Sequence, residues 1–268
     1  MTPERHIAIT DIVGRLPYRL ALAGGWIDQP LVSQHNPAPP GSMVTVQVEA
    51  RFRFMDRAGM CGSTRSAAQK LWQGVVPTNR DRMTLVRELY RVENEDRTEP
   101  SGSQDMIGLV YPGVNRLDYD IQVEGGYFPS HIETNTDEEV ATWLSDLLYV
   151  LPVAQRPEGY NPLGRQNLDP QWIAKLGQTG QACFDAIVGR DAQGLGASFN
   201  DCMRCWEAIL PDVVDHPTLT VDLRQLLQVY QAGYPGAMYS GCGGGYLYVV
   251  SEEPVPGGFQ VKVKWTSP

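Results

Sequence analysis

Over residues 43–54 the apolar side chains recur at every second position. Val44, Val46, Val48, Ala50, Phe52 and Phe54 alternate with Thr45, Gln47, Glu49, Arg51 and Arg53. A period of two marks a β-strand, because successive side chains point to opposite faces of a sheet. The chain closes on the same pattern: Phe259, Val261, Val263 and Trp265 interleave with Gln260, Lys262 and Lys264, one face buried and one wet. Residues 19–22 and 246–251 read as further strands. Helical periods stand between them. Residues 63–75 put Ala67, Ala68, Leu71 and Trp72 on one side, and residues 81–94 do the same with Leu85, Val86, Leu89 and Val92. Asp169 before Pro170 is a cap-then-proline helix start, with a helix running to about Val188. Helices are also expected over residues 192–210 and 218–231. Residues 35–42 read as a proline-rich loop and residues 97–103 as a polar one. Strands interleaved with helices and closed by a hairpin imply an α+β protein. A stretch rich in Pro, Gly and polar residues at 152–164 implies two lobes, 1–158 and 159–268, with no internal repeat.

At 268 residues, 42% hydrophobic and 20% charged, the chain has the material for a true core. Its 22 basic and 31 acidic residues give a net charge of −9. An acidic surface repels phosphate backbones, which argues against nucleic acid as a partner but not against a phosphorylated small molecule in a local positive pocket. No apolar run of about 18 residues exists, so no membrane helix is expected. Residues 1–14 mix Glu4, Arg5, His6 and Asp11 with apolar residues, unlike a secretory signal. The five cysteines are then expected as reduced thiols in the cytoplasm. Cys202 and Cys205 form a lone CxxC on an amphipathic stretch, where helix packing is expected over a metal or redox role.

Three glycine-containing segments carry the chemistry. Residues 17–28 run from an apolar strand into Gly24-Gly25-Trp26-Ile27-Asp28. A carboxylate on such a turn can accept bonds from ligand hydroxyls, although an ordinary strand-to-loop turn looks the same. Residues 59–68 lead from Gly59-Met60-Cys61-Gly62 through Ser63, Thr64, Arg65 and Ser66 directly into a helix. A helix N-terminus offers unpaired amides to phosphate, and a plain Ser/Thr cap is the alternative. The spacing is not a Walker A loop. Residues 240–245, Ser-Gly-Cys-Gly-Gly-Gly, precede a strand rather than a helix, which rules out a dinucleotide fingerprint. Glycines at this density imply a tight turn or close approach to a neighbour or ligand. Two acids stand out: Asp105 in the small-residue stretch Ser101-Gly102-Ser103-Gln104-Asp105, and Glu93 near the end of the second helix.

In this order the segments resemble the GHMP kinases, the superfamily of galactokinase, homoserine kinase, mevalonate kinase and phosphomevalonate kinase. Gly24-Gly25-Trp26-Ile27-Asp28 is most similar to the fucokinase and heptose-7-phosphate kinase branch. Residues 59–66 resemble the family's phosphate loop, Asp105 with the following Pro112-Gly113-Val114-Asn115-Arg116 its catalytic aspartate region, and residues 240–245 its C-terminal glycine motif. The resemblance spans residues 17–250. It implies a two-lobed fold, with a ribosomal-protein-domain-like N-terminal lobe, a ferredoxin-like C-terminal lobe and ATP between them. It implies an ATP- and Mg²⁺-dependent kinase of a sugar or sugar phosphate, acting on the anomeric hydroxyl, and is compatible with a homodimer. Asp105 would orient the acceptor hydroxyl and accept its proton, with Arg19 beside it keeping it ionised. Gly62, Ser63, Thr64, Arg65 and Ser66 would hold the ATP phosphates, Ser66 and Glu93 the Mg²⁺. Asp28, Gly24 and Gly25 would meet the sugar, and Gly243 and Gly244 would bring the C-terminal lobe close to it. Two departures matter. Arg65 stands where the family has a small residue, and either contacts phosphate or spoils the site. The chain is short for a sugar kinase, so substrate loops would be trimmed. A non-catalytic relative and a kinase of a non-sugar alcohol are the other two readings.

Overall fold

The structure is a computed structural model and describes residues 15–97 and 100–266. Residues 1–14, read above for a leader, lie outside the described part, as do two residues of the polar loop 97–103. The first sheet is antiparallel, in the order β1 (Tyr18–Ala21), β2 (Gly41–Val48), β3 (Val114–Tyr119), β4 (His131–Asn135). The second is also antiparallel and joins β6 (Gly236–Tyr239), β7 (Tyr246–Val250), β5 (Leu148–Pro152) and β8 (Phe259–Gln260) in that order. The helices are α1 (Pro30–Ser33), α2 (Gly62–Trp72), α3 (Arg82–Asn94), α4 (Gln104–Val110), α5 (Glu138–Leu147), α6 (Pro170–Val188), α7 (Ala192–Ile209) and α8 (Leu223–Gly233).

Local capping sets several of these ends. The Asp169 carboxylate accepts from the amides of Gln171 and Trp172, and α6 runs over the expected residues. Asp81 does the same for α3 through the Thr84 amide. Asp222 accepts from Gln225 N, so α8 begins at Leu223 and not near Thr218 as expected. Gln104 and Asp105, which end the small-residue stretch, open a helix with the apolar residues after them: this is α4, whose residues Met106 to Val110 are all buried.

β2 is shorter than its alternation predicts. It is buried along its whole length and ends at Val48, leaving Phe52 39% exposed. Gln47 lies on the face that α4 covers and donates to the carbonyl of Leu109 at 2.7 Å. The last strand departs in the same way. Only Phe259–Gln260 pairs regularly, yet Val261 and Val263 are buried and Lys262 is exposed, so the alternation survives. The cause is a change of sheet: past Gln260 the chain leaves the second sheet, Val263 bridges Val48, and Lys264 N donates to Gln47 O at 2.8 Å.

One apolar core runs through both sheets. Helix α6 comes very near the start of β2. A Cβ at Gly180 would lie 1.9 Å from the Ser42 carbonyl oxygen, so only glycine lets helix and strand backbones meet there. Among the described residues no helix is long and apolar enough to cross a membrane.

Candidate active site

Arg19 projects from β1 and is 3% exposed. Its stem crosses α4 at Gly108, where a Cβ would sit 2.0 Å from Arg19 Cγ. The missing side chain lets the guanidinium reach Asp105 in the first turn of α4, where the two form an ion pair. Arg19 also donates to the Gly59 carbonyl at 3.2 Å, and Gln104 Nε2 donates to Asp105 at 3.1 Å. The expected pairing of Arg19 with Asp105 is therefore present, and it touches the loop expected to hold phosphate.

That loop bends sharply before α2. Gly59 (φ 75°) and Cys61 (φ 56°) are both left-handed, and α2 starts at Gly62 with no side chain capping it. Nothing lies within 4 Å of where a Gly62 Cβ would stand. The open side is a cleft of about 410 Å³, walled by Arg19, Asp105, Gly62, Ser63 and Ser66 together with residues 55–61. Cys61 also faces it, but burial pushes its thiol up to about 11, which keeps it protonated and weakly nucleophilic.

Ser63 Oγ donates to Glu93 Oε1 at 2.9 Å, and Arg97 binds the same oxygen at 3.1 Å. Glu93 Oε2 is buried without a partner. A hydroxyl beside an unsatisfied carboxylate oxygen is a donor set suited to Mg²⁺, which takes oxygen ligands. Ser66, expected as the serine ligand, lines the cleft but gives its hydroxyl to Gly62 O at 2.9 Å, so it is Ser63 that the fold sets against Glu93. Thr64 is fully buried, its hydroxyl facing away from solvent. Arg65 turns from the cleft altogether. It donates to Pro17 O and Leu16 O, both at 2.8 Å, and its guanidinium lies 3.6 Å above the Tyr18 ring.

The residues expected at the sugar are placed differently. Asp28 is 3% exposed and does not line the 410 Å³ cleft. It accepts from Trp26 N at 3.2 Å and Gln29 Nε2 at 2.8 Å, with Gly102 packed on its carboxylate. Burial raises its pKa above the usual carboxylate range, against the lowering effects of the Gln29 bond and the Arg19 charge. Gly24 packs on Ser42 of β2, and the Gly25 carbonyl receives Trp206 Nε1 at 2.9 Å. Gly243 donates to Val213 O at 2.7 Å and Gly244 lies beside Arg156 and Ala154. Both glycines thus approach protein and not an open cleft. The reason is Arg156, whose guanidinium is ringed by the carbonyls of Ser240, Cys242 and Gly243 at 2.7, 2.6 and 3.0 Å. Sequence reasoning passed over Arg156, which sits in the Pro- and Gly-rich stretch 152–164 with no motif around it.

The three glycine segments nonetheless converge. Ser240 Oγ donates to Ala58 O at 2.7 Å, and a Cβ at Gly59 would lie 1.9 Å from Ser240 O. Trp26 Nε1 donates to Gly241 O at 2.9 Å. A second cleft, about 690 Å³, includes Trp26 and Gln29, the two residues that bind Asp28. The CxxC cysteines are free and buried in α7, where Cys202 Sγ accepts from Gly24 N at 3.4 Å. Among the described residues no group of three or more His, Cys, Asp and Glu could hold a metal ion.

No protein-family model matches the chain, and no curated protein does. Solved structures do match. A D-glycero-D-manno-heptose 1-phosphate kinase from Bacteroides thetaiotaomicron is 13% identical with a TM-score of 0.57, covering 94% of this chain and 96% of its own. The Lactococcus lactis galactokinase complexed with galactose is 11% identical with a TM-score of 0.55, covering 94% and 93%. The Methanococcus jannaschii mevalonate kinase is 9% identical with a TM-score of 0.51, covering 88% and 89%. At such identities the likeness is one of fold: the chain shares the fold of these kinases, and that fold sets Arg19 and Asp105 beside the Gly59–Ser66 loop.

Proposed function

We propose that the chain is an ATP-dependent small-molecule kinase whose acceptor is a hydroxyl of a sugar or sugar phosphate, with residues 1–158 and 159–268 as its lobes. The observation that carries this reading is the shared 410 Å³ cleft, where an ion-paired aspartate faces an uncapped helix N-terminus. Phosphoryl transfer asks a protein mainly for positioning and charge stabilisation. Asp105 orients the acceptor hydroxyl and takes its proton, and Arg19 fixes the carboxylate. The amides at the start of α2 hold the ATP phosphates. Ser63 and Glu93 would hold Mg²⁺, which when bound offsets charge on the phosphates. Arg65 leaves this arrangement intact because its guanidinium is engaged elsewhere. The galactokinase and heptose kinase among the fold neighbours, with the branch-like Gly24–Asp28 turn, support a sugar and its anomeric hydroxyl.

Isothermal titration with Mg-ATP is the first test, followed by ADP release with a sugar panel. Wild-type protein should bind Mg-ATP, and Gly62→Val should fold normally, since nothing lies within 4 Å of its Cβ position, yet lose the nucleotide because its branched side chain occupies the space a phosphate needs. No binding to wild-type protein at millimolar Mg-ATP would sink the kinase reading in favour of a non-catalytic protein of this fold. Turnover confined to non-sugar alcohols would sink the sugar alone.

A further inference from the structure

Trp26 has a φ of 81°, a left-handed backbone that bulky residues rarely adopt and glycine adopts freely. Such conformations persist only where the surroundings hold them, and they gather at ligand sites. Here the backbone amide is held by Asp28 Oδ1 at 3.2 Å, and the indole N–H by the Gly241 carbonyl at 2.9 Å. These bonds use the amide and one edge of the ring. The half-buried ring itself lines the 690 Å³ cleft with Gln29, Tyr127, Asn161 and Gln166. Arg97 is the charged group among the described residues of that wall, and its charge is met by Glu93 at 3.1 Å. An aromatic wall with amide and hydroxyl groups around it, and a cation already neutralised, suits a ligand with an apolar face and many hydroxyls but no charge. Ser101, on the same wall, precedes Asp105 by four residues in the chain.

We propose that the Trp26 indole is the platform on which the ring of a neutral, polyhydroxylated acceptor docks, with the amides of Gln29, Asn161 and Gln166 reading its hydroxyls. This rests on the kinase reading for the identity of the cleft as the acceptor side. It makes Trp26 the residue that sets acceptor specificity, and explains why a tryptophan stands at a backbone position suited to glycine.

The test uses full-length ¹⁵N-labelled protein and three variants, Trp26→Phe, Trp26→Ala and Trp26→Gly. The indole N–H resonance of Trp26 is assigned by its loss in Trp26→Phe. D-Galactose, D-mannose, L-fucose and mannose 6-phosphate are titrated separately, and Mg-ATP affinity is measured on the same samples. A neutral sugar should shift the Trp26 indole signal. Trp26→Phe should hold that sugar within about threefold of wild type, and Trp26→Ala and Trp26→Gly should lose at least about tenfold. Mg-ATP affinity should stay level throughout. Trp26→Gly relieves the left-handed backbone but also removes the bond to Gly241, so its melting temperature and its Mg-ATP affinity are read beside the sugar titration to show that the fold is kept. Unchanged sugar affinity in Trp26→Gly, with Mg-ATP binding intact, overturns the platform and spares the kinase. Absence of any sugar-induced shift overturns it, as does binding of mannose 6-phosphate alone. Sugar binding that depends on Trp26 in a protein that never binds Mg-ATP sinks the kinase reading and leaves the platform standing.

Discussion

Asp105 and Asp28 are both carboxylates near Arg19, and their surroundings set them to different tasks. Asp105 opens onto the cleft, its side chain 20% exposed and paired with a guanidinium that is nearly buried. Asp105→Asn should leave Mg-ATP affinity in place and lower turnover about 10²–10⁴-fold, the usual worth of a general base. Since the change also removes one member of a buried ion pair, the assay belongs well below the melting temperature. Near-normal kcat in a folded variant would discard the role. Asp28 is enclosed, and burial lifts its carboxyl above the ordinary value of 3.8. The folded state thus holds this proton more tightly than the unfolded state does. The stability it contributes is full below pH 3.8 and is lost as pH rises through the raised folded value. Asp28→Asn, which keeps an acceptor for Trp26 N, should therefore gain on the wild type in thermal melts as pH climbs from acid to neutral. A constant difference across that range would show that Asp28 does not titrate abnormally.

At the scale of elements, helix α2 is held down by Arg65 in its first turn. Arg65 ties the helix to two backbone carbonyls before β1 and stacks on Tyr18, whose ring is buried. Arg65→Ala should lower stability by about 1–3 kcal/mol, the scale of charged hydrogen bonds, as read from urea unfolding. Mg-ATP affinity should hardly change. A tenfold loss of nucleotide affinity at full stability would instead make Arg65 a phosphate ligand. The same scale explains α4. Its apolar residues are buried under the first sheet, and its one glycine in contact with Arg19 is what sets the arginine's reach.

Across the whole molecule, the glycine loop 240–245 is a joint. Arg156 closes it from within, while Ser240 and Gly241 fasten its outside to Ala58 and Trp26. Removing the guanidinium leaves partly buried carbonyls without donors, which is costly. Arg156→Ala should speed amide hydrogen exchange in residues 240–245 and 58–62 together, with α6 and α7 unaffected. Exchange that rises in the glycine loop alone would mean that the two loops are not coupled.

Elements with local causes were legible in the chain. Asp169-Pro170 and Asp81 mark helix starts because a cap acts within three residues, and the closing alternation survives even where the strand itself breaks. The turn at Gly59–Gly62 leading into a helix was legible because small residues mark it locally. What the sequence could not show is which partner each side chain takes across the fold. Ser63 meets Glu93 from 30 residues away, Arg156 meets Cys242 from 86, and Trp26 meets Gly241 from 215. Arg65 found carbonyls where phosphate was one expectation, Asp28 was buried beneath Gly102, and Gly243 and Gly244 met protein where substrate was expected. Capping and periodicity act between neighbours in the chain, whereas these choices depend on which surfaces the core brings together, and only the packed tertiary structure specifies that.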